Sequence, residues 1–215
     1  MIISSSFQEP KYYCNLCTRL SEYRLKNKDL NNQWFNGPVP AFGRLDAKLL
    51  IVGLAPGLKG ANATGRPFTG DYAGDLLYST LEKYGFSKGS YKAQLNDGLE
   101  LINCRITNAV RCVPPKNKPT NNEIKTCRTF LSAEISQMHD LLVILALGRV
   151  AHTSMLTLFN LKQASWPFKH ARNHSLPNGL MMVDSYHCSR YNTNTGRLTV
   201  DMFENVFDTL AKICD

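Results

Sequence analysis

The chain has 215 residues, of which 43% are hydrophobic, and 25 Lys+Arg against 17 Asp+Glu give it a formal net charge of +8. That length suits one globular domain over 1–215 with a sizeable core, and no apolar run approaches the roughly 18 residues a membrane span needs, so no membrane partner is expected. The basic balance points to nucleic acid, because a protein lying along a polyphosphate gains affinity by releasing counterions.

Along the chain, Met1 to Pro10 lacks a basic stretch followed by an apolar one, so no secretory leader is expected. The seven cysteines then read as reduced intracellular thiols, not a disulfide framework, in a soluble, cytoplasmic monomer. A short helical segment over 13–28 carries Cys14 and Cys17. Lys48 to Leu54 is the first buried strand, and a glycine-rich loop follows it. Asp71 to Tyr84 is a helix in which Leu76, Leu77, Thr80, Leu81 and Tyr84 recur at helical spacing until Gly85 stops it. Leu101 to Val110 reads as the second strand, Asn121 to Met138 as a helix, and Leu141 to Leu147 as a strand buried on both faces. Gly148 to Phe159 is helical, Leu180 to Ser185 is the fourth strand, and Leu198 to Ile213 closes the chain as an amphipathic helix with Val200, Phe203, Val206, Phe207 and Leu210 inward. Strands alternating with helices imply crossovers, hence an α/β fold: a three-layer α/β/α sandwich around a four-stranded, mostly parallel sheet.

In such a sheet the ligand sits at the carboxyl ends of the strands, and the unusual sequence collects there. The first strand runs into Gly53-Leu54-Ala55-Pro56-Gly57 and on to Gly65-Arg66-Pro67-Phe68-Thr69-Gly70-Asp71, where glycines permit positive φ and close approach of a ligand. A nucleotide phosphate loop is the competing reading, but neither G-x-x-x-x-G-K-[ST] nor G-x-G-x-x-G is present. Asn108 ends the second strand, and its amide offers the donor and acceptor that a pyrimidine imide edge asks for. His187, just past the fourth strand, can donate to a carbonyl oxygen gaining negative charge, while Ser189 and Arg190 can hold phosphates. Taken singly, each is equally a local structural group; their joint placement argues for a site.

Cys14 and Cys17 form a C-x2-C pair, and Cys112 and Cys127 stand alone far downstream, each beside basic residues. Soft thiolates select zinc or iron-sulfur clusters, and no second tight pair closes a zinc knuckle, which favours a 4Fe-4S cluster; ordinary buried cysteines are the alternative. Arg111, Lys116, Lys118 and Arg128 around these cysteines point to a DNA-facing loop.

These motifs together, GLAPG, GRPFTGD, TNAVRCVPPKNKPT and YHCSR with the cysteine pattern, resemble the iron-sulfur uracil-DNA glycosylases, most closely their family-five, or type b, branch. The resemblance runs from Tyr13 to the last helix. It implies hydrolysis of the N-glycosidic bond of uracil, and of other deaminated bases such as hypoxanthine or xanthine, in damaged DNA, leaving an abasic site. It also implies that Cys14, Cys17, Cys112 and Cys127 hold the cluster, that Phe68 stacks on a flipped base, that Asn108 reads its edge and that His187 supports the leaving base. Ala55 and Gly57 would line the base pocket. Relatives outside this branch carry a polar residue at the Ala55 position to place the attacking water; here Asn62 and Asp71 are the nearest polar candidates, although Asp71 equally suits a helix cap. Cys188 departs from the family's proline or small apolar residue, and Tyr191 or Arg190 could wedge the opened duplex. A metal-stabilised nucleic-acid-binding module without catalysis remains the other reading.

Overall fold

The structure, a computed structural model, describes residues 8–215, so most of the Met1–Pro10 reading lies outside the described residues. In chain order the elements are α1 (Thr18–Leu30), β1 (Leu49–Gly53), α2 (Ala61–Thr64), α3 (Tyr72–Lys83), β2 (Ser87–Lys88), β3 (Glu100–Leu101), β4 (Cys104–Asn108), α4 (Asn121–Gln137), β5 (Val143–Leu147), α5 (Arg149–Leu158), β6 (Asn173–Ser175), β7 (Met181–Ser185), α6 (Arg190–Asn194) and α7 (Val200–Cys214). Among the described residues no helix is long and apolar enough to cross a membrane.

The main sheet runs β4-β1-β5-β7-β6, parallel across its first four strands, with β6 antiparallel at the edge. Helices α3 and α7 cover one face, where Leu77, Leu81, Phe203 and Phe207 pack on Ile51 and Ile106. On the other face α4 and α5 bring Leu131, Met155 and Leu156 against Leu50, Val52 and Ile144. Every residue of β1, β4 and β5 is buried, as expected for strands covered by helices on both sides.

Three expectations need correction. The sheet has five strands instead of four: β6 escapes detection because its Asn-His-Ser sequence has no apolar pattern. What holds it is polar, since His174 Nε2 lies 2.9 Å from Asp184 Oδ2 on β7 while the other Asp184 oxygen meets His152 Nδ1 of α5 at 2.7 Å. The second strand, read as Leu101 to Val110, is divided by Asn103 at φ +48°; Glu100–Leu101 pairs with β2 in a separate small ribbon, and the sheet strand begins at Cys104. Val200 opens α7 with 48% exposure and does not join the inner face.

Caps explain where the helices start. Asp71 accepts from the Gly74 N–H, and Thr120 and Glu123 form a reciprocal capping box on α4. The weakly amphipathic α1 is anchored through buried Leu20 and through Arg19, whose guanidinium pairs with Glu123 at 2.7 Å. Behind the sheet edge, fully buried Glu134 of α4 pairs with Arg105 and Arg111, both at 2.6 Å, and accepts from the Thr107 hydroxyl at 3.0 Å. That network ties α4 to β4 and to the loop carrying Cys112.

Candidate active site

A cleft of about 140 Å³ opens at the carboxyl ends of β1, β4 and β7. Ala55, Gly57, Phe68, Asp71, Asn108 and His187 line it, so six of the residues singled out in the sequence come together. Two glycines shape it. A Cβ on Gly53 would stand 2.4 Å from Asn108 Oδ1 and 2.6 Å from Phe68 Cζ, so only glycine at the end of β1 lets these two side chains close in. A Cβ on Gly74 would strike the Phe68 carbonyl oxygen at 1.8 Å, which is why the first turn of α3 can pack under the Phe68 loop. Phe68 itself sits in the left-handed region at φ +53° and is buried.

The Phe68 and His187 rings stack with centroids 5.7 Å apart and planes 26° from parallel. The backbone of His187 is fixed by Asn192 of α6, whose amide donates to the His187 carbonyl at 2.8 Å, while Ser189 caps that same helix. His187 Nδ1 is buried without a hydrogen-bond partner. Burial holds the His187 pKa below the ordinary imidazole value, with the Asp71 charge opposing, so the ring is neutral near pH 7. Asn108 is buried, and among the described residues no hydrogen bond occupies its side-chain amide. Two polar side chains with free hydrogen-bonding capacity thus line the same cleft, from the carboxyl ends of β4 and β7.

Asp71 lines the cleft while its Oδ1 caps α3 at 3.1 Å. Asn62 does not line it. It is wholly buried, donates to Asn36 Oδ1 at 3.0 Å and braces the loop through its N–H on the Gly57 carbonyl at 3.0 Å. Sequence reasoning missed Asn117, which reaches the cleft from the loop after Cys112. Lys116 and Asn117 both adopt φ near +55°, at 55° and 54°, and that double left-handed turn brings Asn117, itself exposed, to the rim of the cleft. Asparagine's tolerance of this conformation was the one clue in the sequence.

Of the residues expected to meet DNA, Lys116, Arg190 and Tyr191 are exposed, and Ser189 is half-buried. Arg111 is different and corrects the reading: it is 1% exposed, and its charge is spent inward on Glu134 at 2.6 Å and Glu9 at 3.1 Å. Arg190 lies over the Tyr72 ring at 5.5 Å, and Cys188 is buried against the Ala73 carbonyl.

Cys14, Cys17, Cys112 and Cys127 line a second, apolar recess together with Leu16, Leu20, Val110 and Phe130. Burial pushes the Cys112 thiol up to about 12 and the Cys127 thiol up to about 11, and burial followed by the Glu123 charge raises Cys17. Thiols so buried stay protonated until a bound cation displaces the protons. Among the described residues the one His/Cys/Asp/Glu triple whose ligand atoms all lie within 4.8 Å is His152, His174 and Asp184.

Comparison with known proteins gives a consistent result. The model of the uracil DNA glycosylase superfamily matches residues 40–211. The chain is similar to the type-5 uracil-DNA glycosylase of Thermus thermophilus, 42% identical over 198 residues and 90% of each chain. It is 38% identical over 202 residues to the type-5 enzyme of Pyrobaculum aerophilum, covering 92% of this chain and 88% of that one. A type-4 uracil-DNA glycosylase of Archaeoglobus fulgidus matches at 33% over 125 residues, only 58% of this chain.

Proposed function

Because this chain belongs to the uracil DNA glycosylase superfamily, we propose that it hydrolyses the N-glycosidic bond of uracil in DNA and so opens base excision repair. The observation that carries this reading is the convergence of Phe68, Asn108 and His187 on one cleft at the strand ends. A base inside duplex DNA must be rotated out of the stack to be cut. In the cleft its ring would lie on Phe68, its imide edge would pair with the Asn108 amide, and its carbonyl oxygen would accept a hydrogen bond from neutral His187. As the glycosidic bond breaks, charge develops on that oxygen, so a donor already in place lowers the barrier more than it tightens binding. Among the described residues no lysine lines the cleft, which favours simple hydrolysis over an imine-forming, strand-cutting route. Asp71 and Asn117 are the polar groups positioned to hold the attacking water, and Asn62 would act from beneath the loop. The apolar Ala55 wall leaves space for hypoxanthine or xanthine.

The four cysteines would hold a 4Fe-4S cluster, whose contribution is a covalent tie between the α1 segment, the loop after β4 and α4. Exposed Lys116, Ser189, Arg190 and Tyr191 would meet the DNA backbone around the cleft.

The test is incubation with duplexes carrying one uracil, hypoxanthine or xanthine, followed by alkaline cleavage of abasic sites. Strand breaks at uracil only after alkali are expected, whereas binding without breaks would leave a non-catalytic DNA-binding module. Purified protein should be brown with about four irons per chain, and Cys112→Ser should lose both colour and solubility. Stoichiometric zinc without iron after anaerobic purification would reject the cluster.

A further inference from the structure

The loop between β2 and β3 contributes no residue to the lining of the cleft, yet two of its side chains reach the segment that carries Phe68. Asp97 takes a bidentate pair from Arg66, at 2.8 and 2.7 Å, with the two side chains 0% and 1% exposed respectively. Arg66 also donates from Nε to the Thr69 hydroxyl at 2.9 Å, so the guanidinium spans both sides of Phe68. The Arg66 guanidinium lies over three aromatic rings: Phe42 at 5.1 Å, Tyr78 at 5.3 Å and Tyr91 at 5.6 Å. Asp97 is held in turn by its own loop, accepting from the Lys92 and Leu99 N–H groups at 2.9 and 3.1 Å. The Arg66 hydrogen bonds, the largest influence, keep the Asp97 carboxyl far below the usual carboxylate range.

Tyr91 supplies the second support. Its ring stacks on Tyr78 at 4.5 Å, its hydroxyl donates to the Phe68 carbonyl at 3.3 Å, and it accepts from the Gly70 N–H at 3.4 Å. Tyr78 binds the Pro67 carbonyl at 2.8 Å. The segment from Arg66 to Gly70 is therefore gripped at consecutive positions, and its centre is Phe68, a non-glycine residue at φ +53° that would not hold that conformation unaided.

We infer that Asp97 and Tyr91 are positioning residues that hold Phe68 in its left-handed conformation and so set the stacking face for the flipped base. This rests on the stacking role proposed for Phe68. Neither residue lines the cleft, so both act only through the loop they brace. The arrangement meets the general requirement that a reacting group be held by side chains that are themselves locked, since a displacement near 1 Å can cost roughly a hundredfold in rate.

A double-mutant cycle tests it. Wild type, Asp97→Asn, Phe68→Ala and the double variant are compared in single-turnover cleavage of a uracil duplex, in affinity for an abasic duplex, and in thermal melting. Asp97→Asn should slow cleavage between tenfold and roughly a hundredfold with little change in DNA affinity, and the double variant should be no slower than Phe68→Ala alone. Effects that multiply would overturn the inference while leaving the stacking role intact, and a wild-type rate in Phe68→Ala would overturn both. If Asp97→Asn does not fold, Tyr91→Phe takes its place in the cycle. This variant loses one hydroxyl, should remain folded, and should show a smaller rate loss that again vanishes in the Phe68→Ala background; a folded Tyr91→Phe with wild-type turnover sinks the idea.

Discussion

Arg111 and Lys116 stand on the same loop, a few residues apart, and have opposite fates. Arg111 is sealed behind the sheet edge with Glu134 and Glu9, its charge neutralised by fixed partners. Lys116 sits at the outer turn, exposed, with no ion pair among the described residues. The difference teaches that a basic residue beside a motif marks a DNA face only if no buried acid claims it first. Burial with a fixed partner turns the same charge type from a ligand contact into part of the frame.

The largest effect expected from this contrast is on stability. Arg111→Ala would leave the Glu134 carboxylate, which is 0% exposed, short of one of its two guanidinium partners. Breaking a buried pair by removing one member typically costs about 3–5 kcal/mol, because the surviving charge stays desolvated. Urea unfolding should show that loss, whereas the salt dependence of DNA binding by the folded fraction should stay at its wild-type slope. A stable Arg111→Ala with a flattened salt slope would erase the contrast.

Next in size is the catalytic rim. Loss of one preorganised donor costs on the order of a hundredfold or more in rate, so His187→Ala should exceed Asp71→Asn and Asn62→Ala in its effect on cleavage. Asn62→Ala should act chiefly on the Gly57 loop, and Asp71→Asn keeps an oxygen to cap α3. The His187 pKa is lowered on folding, so the folded protein refuses a proton that the unfolded chain accepts as pH falls through about 6.5. This group therefore subtracts stability below that pH and nothing above it. Cleavage should stay level through the ordinary imidazole range and decline only below it; a rate that halves near 6.5 would contradict a neutral donor.

The sequence carried the parts of this picture that depend on local chemistry. Asp71 was legible as a cap because an acid stood just before a helical pattern, and β1 and β5 were legible as unbroken apolar runs. Asn108 and His187 were legible because parallel topology sends strand ends to one side of the sheet, whereas Phe68 was legible only through the motif resemblance. What escaped depended on partners distant along the chain. Edge strand β6 is held by Asp184 and not by its own pattern, and the inward turn of Arg111 depends on Glu134 in another element. Asn117 reaches the rim of the cleft through a backbone turn that residue type alone does not dictate. Asn62 illustrates the converse: a polar residue near a motif that folding places beneath the loop.

The smallest effect should fall on the exposed rim. Lys116→Ala and Arg190→Ala remove charges that make no ion pair among the described residues, so neither should shift the unfolding midpoint appreciably. If each neutralises one phosphate, each should reduce the slope of log affinity against log salt by about 0.9, and the pair together by about twice that. The loss should be uniform across DNA sequences, since phosphate contacts carry no base information. Arg190 has a second engagement over the Tyr72 ring, so it is the better ordered of the two and should show the larger loss of affinity at low salt. Equal slopes in wild type and double variant would move the DNA path away from this rim and leave the outward charges, like the inward one, without a role in binding.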